Sequence, residues 1–336
     1  MTKETLVTKV TLQTLAEELG VSRQTVSNAL NAPDKVHPTT LERVRAAIDR
    51  TGYRPSAAAR ALRRQRSMQL GLRLREAGDG INGTVMDGFL HALVGHAAQR
   101  GYGVSLFTAR DRDHEVSVLR QLFETGAIDG CVLTDTCAGD SRPQALTDLA
   151  VPFVAFGRPW GELNARHHWC DVDGRAGTRA AVAFLRRRGR TRIGYIGWPD
   201  EAGIGVERRL GWADATGADP DRTSPLEVVC TDEVALGASA ATTLVAAGVD
   251  GIVCASDSLA IGALSETRRH GDIDVVGFDD TPVARALGLT SLRQPMAEAA
   301  HQVLGILLDV MAGEASQPRH VLLEPTLQPR TVAEFL

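Results

Sequence analysis

Six polar side chains, Ser22, Arg23, Gln24, Thr25, Ser27 and Asn28, fall within one short stretch around Val26. Hydroxyls, carboxamides and a guanidinium on one helical face can donate and accept hydrogen bonds at base edges and phosphates. A second polar set is scattered along the chain. Asp111, Thr134, Arg158, Asp173, Ser256, Asp257 and Asp279 each stand just after an apolar, strand-like run. Carboxylates accept paired hydrogen bonds and guanidinia donate forked ones, so such groups converging in a cleft suit vicinal hydroxyls better than an apolar molecule.

The first set needs a helix to carry it. Residues 11–30 contain two short helical patterns broken at Gly20, with Leu12, Leu15, Ala16 and Leu19 on one face and Val26 and Leu30 returning to the same core. Thr11 and Ser22 are N-cap residues for the two helices, and a third helix is expected from Thr39 or Thr40 through Leu41, Val44 and Ile48 to Thr51 and Gly52. This is the layout of a helix-turn-helix, although an ordinary helical hairpin has the same spacing. Charge separates the two. The first 67 residues hold twelve Lys and Arg against six Asp and Glu, a net of +6; with the whole chain at −4, the remaining 269 carry −10. A basic head on an acidic body divides phosphate binding from some other task. Residues 57–63 form a helix-prone segment too short to be stable alone. Leu62, flanked by Arg60, Arg63 and Arg64, would wedge into a minor groove with the guanidinia near phosphates, or the segment is a plain linker.

The second set needs strands. Apolar runs at 70–74, 104–107, 130–133, 153–156, 193–196, 251–254 and 275–278 alternate with helical stretches, which implies parallel sheets with helical crossovers. Some 260 residues suit two doubly wound sheets, whose ligands sit beyond the carboxyl ends of the strands.

At this point the chain resembles LacI-type transcriptional repressors. The matching residues are, in order, Leu12-x3-Ala16-x3-Gly20-Val21-Ser22-x2-Thr25-Val26-Ser27, Arg43-Val44, Gly52-Tyr53-x-Pro55 and Ala59-x2-Leu62. The resemblance implies a small all-α helix-turn-helix DNA-binding head (1–55), a hinge helix and linker (56–67) and an α/β two-lobed, periplasmic-binding-protein-like (type I) effector and dimerisation domain (68–330). The chain would cross between lobes near 165–172, 290–296 and 322–327, giving an N-lobe of 68–167 plus 293–323 and a C-lobe of 168–292 plus 324–330. By the same resemblance Arg23, Gln24 and Asn28 read bases, and Ser56, Ala59, Leu62 and Arg63 belong to the minor-groove hinge; Thr11 completes the DNA-facing set. Arg208, Ser256 and Asp279 match effector-contact positions, and the turn holding Asn82 borders the effector cleft. Asn28 stands where Arg is frequent in the family, Ser56 where Asn is common, and Phe156-Gly-Arg158-Pro-Trp160 departs from the usual Asp-Arg.

The implied function is a homodimeric repressor of carbohydrate uptake or catabolism genes, bound to a near-palindromic operator and released by a mono- or disaccharide. A helix at 295–312, with Ala299, Val303, Ile306, Leu307 and Val310, serves either the dimer interface or lobe packing. One alternative keeps the architecture and senses a purine or phosphorylated metabolite as corepressor. Another, of a different class, is a sugar-binding protein or NAD-dependent enzyme without DNA function. Trp160 and Trp169 flank the expected first crossing, as sugar-stacking or packing residues.

Other signals lead elsewhere. Residues 78–83 fit G-x-G-x-x-G, but the turn is long and the following Asp111 comes late for dinucleotide binding. His167, His168, Cys170, Asp171 and Asp173 cluster, yet strand alternation divides them between two faces. Five cysteines without a C-x-x-C pair argue against a zinc ribbon or a disulfide framework. The expectation is a non-enzymatic, cytoplasmic protein without membrane segment, metal or cofactor.

Overall fold

In the computed structural model, residues 10–53, 66–74, 83–161, 165–199 and 203–330 are described. Two units are distinct, Met1–Ser67 and Met68–Leu336. In the first, α1 (Leu12–Leu19) opens on a capping box: the Thr11 hydroxyl accepts from the Thr14 amide (3.2 Å), and the Thr11 amide donates to the Thr14 hydroxyl (2.9 Å). Gly20 ends the helix in the left-handed conformation (φ 66°), which no β-carbon penalises there. Ser22 then caps α2 (Arg23–Asn31) by accepting from the Thr25 amide at 3.0 Å. α3 (Pro38–Thr51) begins before the expected Thr39 or Thr40, with His37 as cap and Pro38 in the first turn, because proline there sacrifices no hydrogen bond. Leu15, Ala16, Val26, Ala29, Val44, Ala47 and Tyr53 form the buried core. Arg43 donates to the Leu19 carbonyl (2.9 Å) and so fastens α3 to the end of α1.

The second unit contains β1 (Gln69–Arg73), α4 (Gly83–Gln99), β2 (Gly103–Phe107), α5 (Arg112–Glu124), β3 (Gly130–Leu133), α6 (Arg142–Asp148), β4 (Phe153–Phe156) and β5 (Trp169–Val172). Next come α7 (Gly174–Arg187), β6 (Ile193–Gly197), α8 (Ile204–Thr216), β7 (Glu227–Val229), α9 (Val234–Ala246), β8 (Gly251–Cys254), α10 (Asp257–Thr267), β9 (Asp274–Phe278), α11 (Pro282–Ala286) and β10 (Thr290–Arg293). The last elements are α12 (Met296–Ala312), β11 (His320–Leu323) and β12 (Thr326–Gln328). They build two six-stranded sheets, ordered β11-β5-β4-β3-β1-β2 and β12-β10-β9-β8-β6-β7. All pairings are parallel except β10 with β12.

Strand alternation decides which core each residue enters. Val132 and Val154 pack beneath α4 and α12, whereas Cys131, Leu133, Phe153 and Ala155 pack on the opposite face with Leu119 and Leu146. Cys170 joins the first of these cores and Trp169 borders the second. The expected dimer helix is α12, and its Ala299, Val303, Ile306 and Leu307 are buried in the lobe core, with Val310 packed at its margin. That face serves lobe packing.

Placing the second lobe from 168 is too early. β5 pairs with β4, Ala155 opposite Trp169, and therefore belongs to the first sheet; the chain crosses only at Asp173. Arg293 likewise remains in β10 of the second sheet, so the return lies between it and α12. The third crossing joins β11 to β12, and the Asp173 amide donates to the Leu323 carbonyl (2.8 Å), linking the first and third passages. Among the described residues no helix is long and apolar enough to cross a membrane.

Candidate nucleic-acid interface and ligand cleft

In the head, the caps that shape α2 also present it. Ser22, Arg23 and Gln24 are exposed at its amino end, and Thr25, Ser27 and Asn28 are partly exposed. Gln24 donates to the Asn28 carboxamide (2.9 Å), one turn apart, which fixes two amides side by side on that face. A concavity between α1 and α2 is lined by Gln13, Glu17, Ser22, Arg23, Gln24 and Ser27. The hydroxyls of Thr11 and Ser22 act first as helix caps. Ser56, Ala59, Leu62 and Arg63 lie outside the described residues.

In the second unit a cavity of about 210 Å³ lies where the crossings meet the carboxyl ends of the strands. Its first-sheet wall includes Thr134, Asp135, Thr136, Phe156, Gly157, Trp160 and Asp171. The second-sheet wall includes Trp198, Ile204, Glu207, Arg208, Asp232 and Asp279, and Gly174, Gln294 and Met296 come from the crossings or beside them. Such a lining, aromatic and acidic with few cations, offers flat apolar faces and many acceptors.

Arg208 is its centre. The guanidinium donates to the Ala255 carbonyl, stands 3.8 Å from the Asp279 carboxylate, and lies over the Phe278 ring at 3.6 Å. Its Nε–H is buried without a hydrogen-bond partner among the described residues. Gly174 makes room for it, since a β-carbon there would approach the Arg208 side chain to 2.9 Å. Asp279 accepts from the Gln294 amide at 2.6 Å. Burial raises the Asp279 carboxyl to about 7, against the pull of Arg208 and helped by the neighbouring Asp257. Asp257 is itself raised to about 6 by burial, opposed by donation from the Ser291 hydroxyl (2.6 Å) and the Thr281 amide (2.6 Å).

Strain gathers at the same place. Of five non-glycine residues with positive φ among those described, Asp135, Asp279 and Asp280 follow cleft-facing strands, at 55°, 115° and 53°. Arginines hold them there. Asp280 is fully buried and paired with Arg285 (3.1 Å), Arg293 (2.6 Å) and Arg330 (2.5 Å). On the other wall the buried Arg142 donates to the carbonyls of Thr134 (2.9 Å) and Asp135 (3.0 Å) while pairing with Glu115 (2.7 Å) and Asp140 (2.6 Å).

The expected ligand residues therefore separate. Thr134, Arg208 and Asp279 line the cavity. Arg158, Ser256 and Asp257 stand behind it: Arg158 pairs with Asp171 (2.6 Å) and reaches Glu207 (3.4 Å), Ser256 donates to Asp232, and Asp257 braces β10 and α11. Asp111 and Asp173 are not in the lining; both are N-caps, accepting from the amides of His114 (2.7 Å) and Ala176 (2.8 Å). Asn82, with the rest of 78–82, lies outside the described residues. Glu207, in α8, and Asp232, three residues past β7, are lining residues that strand-end reasoning misses, while Trp198 and Gln294 directly follow β6 and β10 but carry no charge to single them out. Of the two tryptophans near the first crossing, Trp160 lines the cavity and Trp169 stacks on His320 at 4.8 Å.

A helix-turn-helix head and a two-lobed α/β ligand-binding domain on one chain define a DNA-binding protein with a small-molecule site. The comparisons name its family. A periplasmic binding protein-like domain matches residues 182–331, and the family described as bacterial regulatory proteins, lacI family, matches residues 11–56. The HTH-type transcriptional regulator CelR of Thermobifida fusca is 32% identical over 332 residues, covering 95% of this chain and 97% of that protein. A solved regulatory protein of the LacI family from Chloroflexus aggregans is 31% identical, with a TM-score of 0.73 over 79% of this chain and 98% of that one. A CelR–cellobiose complex is 29% identical, with a TM-score of 0.68 over 96% of this chain and 100% of that one. The chain belongs to the LacI family of transcriptional regulators.

Proposed function

We propose that this protein represses genes of carbohydrate uptake or catabolism and is released from DNA by a small sugar. The cleft carries this reading. It sets two acceptors, the nearly covered carboxylate of Asp279 and half-buried Asp232, and a buried donor, Arg208, among the aromatic side chains of Phe156, Trp160 and Trp198. Polar groups arrayed around a ring plane fit a pyranose, whose hydroxyls are equatorial donors and acceptors and whose faces are apolar. Among the described residues, Asp135, Asp171, Glu207, Asp232 and Asp279 line the cavity against one cation, Arg208, and this balance opposes a phosphorylated metabolite. The relative solved with cellobiose supports the same class of ligand.

In this reading Arg208 and Asp279 clamp hydroxyls, with Thr134 on the facing wall, and Arg158, Ser256 and Asp257 hold the lining groups in place. Arg23, Gln24 and Asn28 read bases, Thr25 and Ser27 contact the backbone, and the caps Thr11 and Ser22 set the angle of entry. The head spans 1–55 and the linker with Ser56, Ala59, Leu62 and Arg63 spans 56–67. Two chains act together on a near-palindromic operator, because one small head makes too few contacts for specific binding. No catalytic role is assigned to any residue.

Footprinting of DNA flanking the protein's own gene, at fixed salt, with and without mono- and disaccharides, tests this. A protected palindrome released by one sugar is the expected result. Absence of specific protection under every condition would refute the repressor reading.

A further inference from the structure

The cleft is not the largest space in the second unit. A second cavity, about 560 Å³ against 210 Å³ for the cleft, opens between the β3–α6 connection and the described residues Pro159, Trp160 and His167, with Asp140, Pro143 and Gln144 also in its lining. Thr136 and Trp160 line both spaces. Trp160 is only 8% exposed, and its indole N–H is buried with no hydrogen-bond partner among the described residues. A buried donor of this kind is normally satisfied, so one beside two cavities points to a ligand acceptor.

The ring is held from both lobes. A β-carbon on Gly203, the residue before α8, would come within 2.2 Å of the indole, so the Trp160 face lies directly on second-lobe backbone. The Arg158 guanidinium sits 4.9 Å from the ring centre while pairing with Asp171 of β5 and Glu207 of α8. The indole is thus a fixed partition, packed against a guanidinium and a glycine.

We infer that Trp160 sets the length of the sugar this protein accepts. Its ring closes the cleft against the second cavity, and its N–H donates to a hydroxyl of the bound sugar. This rests on the sugar reading above and adds a residue and a size limit to it. With the partition removed, the cleft and the larger cavity become one space, and longer saccharides gain room.

The test is calorimetric titration of the full chain with glucose, galactose, cellobiose, maltose, cellotriose and maltotriose, using wild type, Trp160→Ala and Trp160→Phe. Wild type is expected to bind a mono- or disaccharide and to bind its trisaccharide counterpart poorly. Trp160→Ala should raise the ratio of trisaccharide to shorter-sugar affinity by about tenfold or more, the scale of a reshaped pocket. Trp160→Phe keeps a ring but lacks the donor; it should keep the wild-type length preference and lose roughly three- to tenfold on each sugar, as one hydrogen bond is worth. Since the phenylalanine variant retains the packing, it remains informative if the alanine variant does not fold. An unchanged length profile in Trp160→Ala, or full affinity in Trp160→Phe, would overturn the role of Trp160 while leaving the sugar reading intact. Wild type that binds no saccharide would overturn both.

Discussion

A carboxylate at the end of a strand serves two physical demands, and at residue scale this protein shows both. Asp279 faces the cleft, while Asp111 and Asp173 cap the helices that follow them. The sequence signature is the same, an acid between a strand and a helix, because a helix N-terminus and a polyol each want an acceptor there. Arg208 and Asp279 were legible because they sit in motifs; Asp232 and Glu207 were not, since only sheet order brings the end of β7 and the start of α8 to the same cavity. Asp279→Asn should abolish the sugar response and leave operator affinity unchanged in a mobility-shift titration. The same residue predicts a pH effect. Its carboxyl is near 7 when folded and about 3.9 when unfolded, so between those values the folded state keeps a proton the unfolded state has lost. Stability should therefore fall as pH rises through that window, Asp257 acting in the same direction up to about 6. Thermal melts of ligand-free protein from pH 5 to 8 should show the decline, flattened in Asp279→Asn; equal slopes in both would contradict the assignment. In the head, Arg23→Ala should cost about 1–3 kcal/mol on operator DNA and little on random DNA.

Elements follow the sequence where one local rule decides them. Thr11, Gly20, Ser22 and Gly52 mark their helix ends as expected, whereas α3 starts early because Pro38 favours the first turn over the hydroxyl caps beyond it. The short strands β5, β7, β11 and β12 each include a polar residue, Asp171, Glu227, His320 and Thr326, and so lack the unbroken apolar run that makes the equally short β3, β4 and β8 readable. Ser22→Ala should destabilise the head by about 1 kcal/mol, seen as lower thermal stability together with weaker binding to all DNA, unlike the sequence-selective loss of Arg23→Ala. Helix contact in the second lobe depends on missing side chains. A β-carbon on Gly262 would lie 2.0 Å from the Val234 carbonyl, and one on Gly237 would lie 2.4 Å from that of Leu259. Since α9 and α10 meet backbone to backbone, Gly262→Ala should cost at least about 1–3 kcal/mol in chemical denaturation, the range for overpacking.

For the whole molecule, charge and connectivity matter more than any contact. With +6 on the first 67 residues and −10 on the rest, DNA affinity should fall steeply with salt while sugar affinity barely moves; the two slopes can be read from parallel titrations. A tenfold release from operator requires only about 1.4 kcal/mol of coupling between the sites. The two-sheet architecture was readable from alternating strands and helices, but the exact crossings were not, because they depend on which sheet a short strand joins. One of those crossings bears on how the protein is made. β11 forms an edge of the first sheet and β12 an edge of the second, so both lobes are finished by the same nine-residue stretch, His320 to Gln328. Arg330, just beyond it, supplies one of the three guanidinia around buried Asp280. During synthesis the head can fold as soon as it emerges, whereas both halves of the sensor keep open edges until residues 320–328 have been made. A ribosome stalled before that stretch would thus expose a DNA-binding module with no working means of regulation.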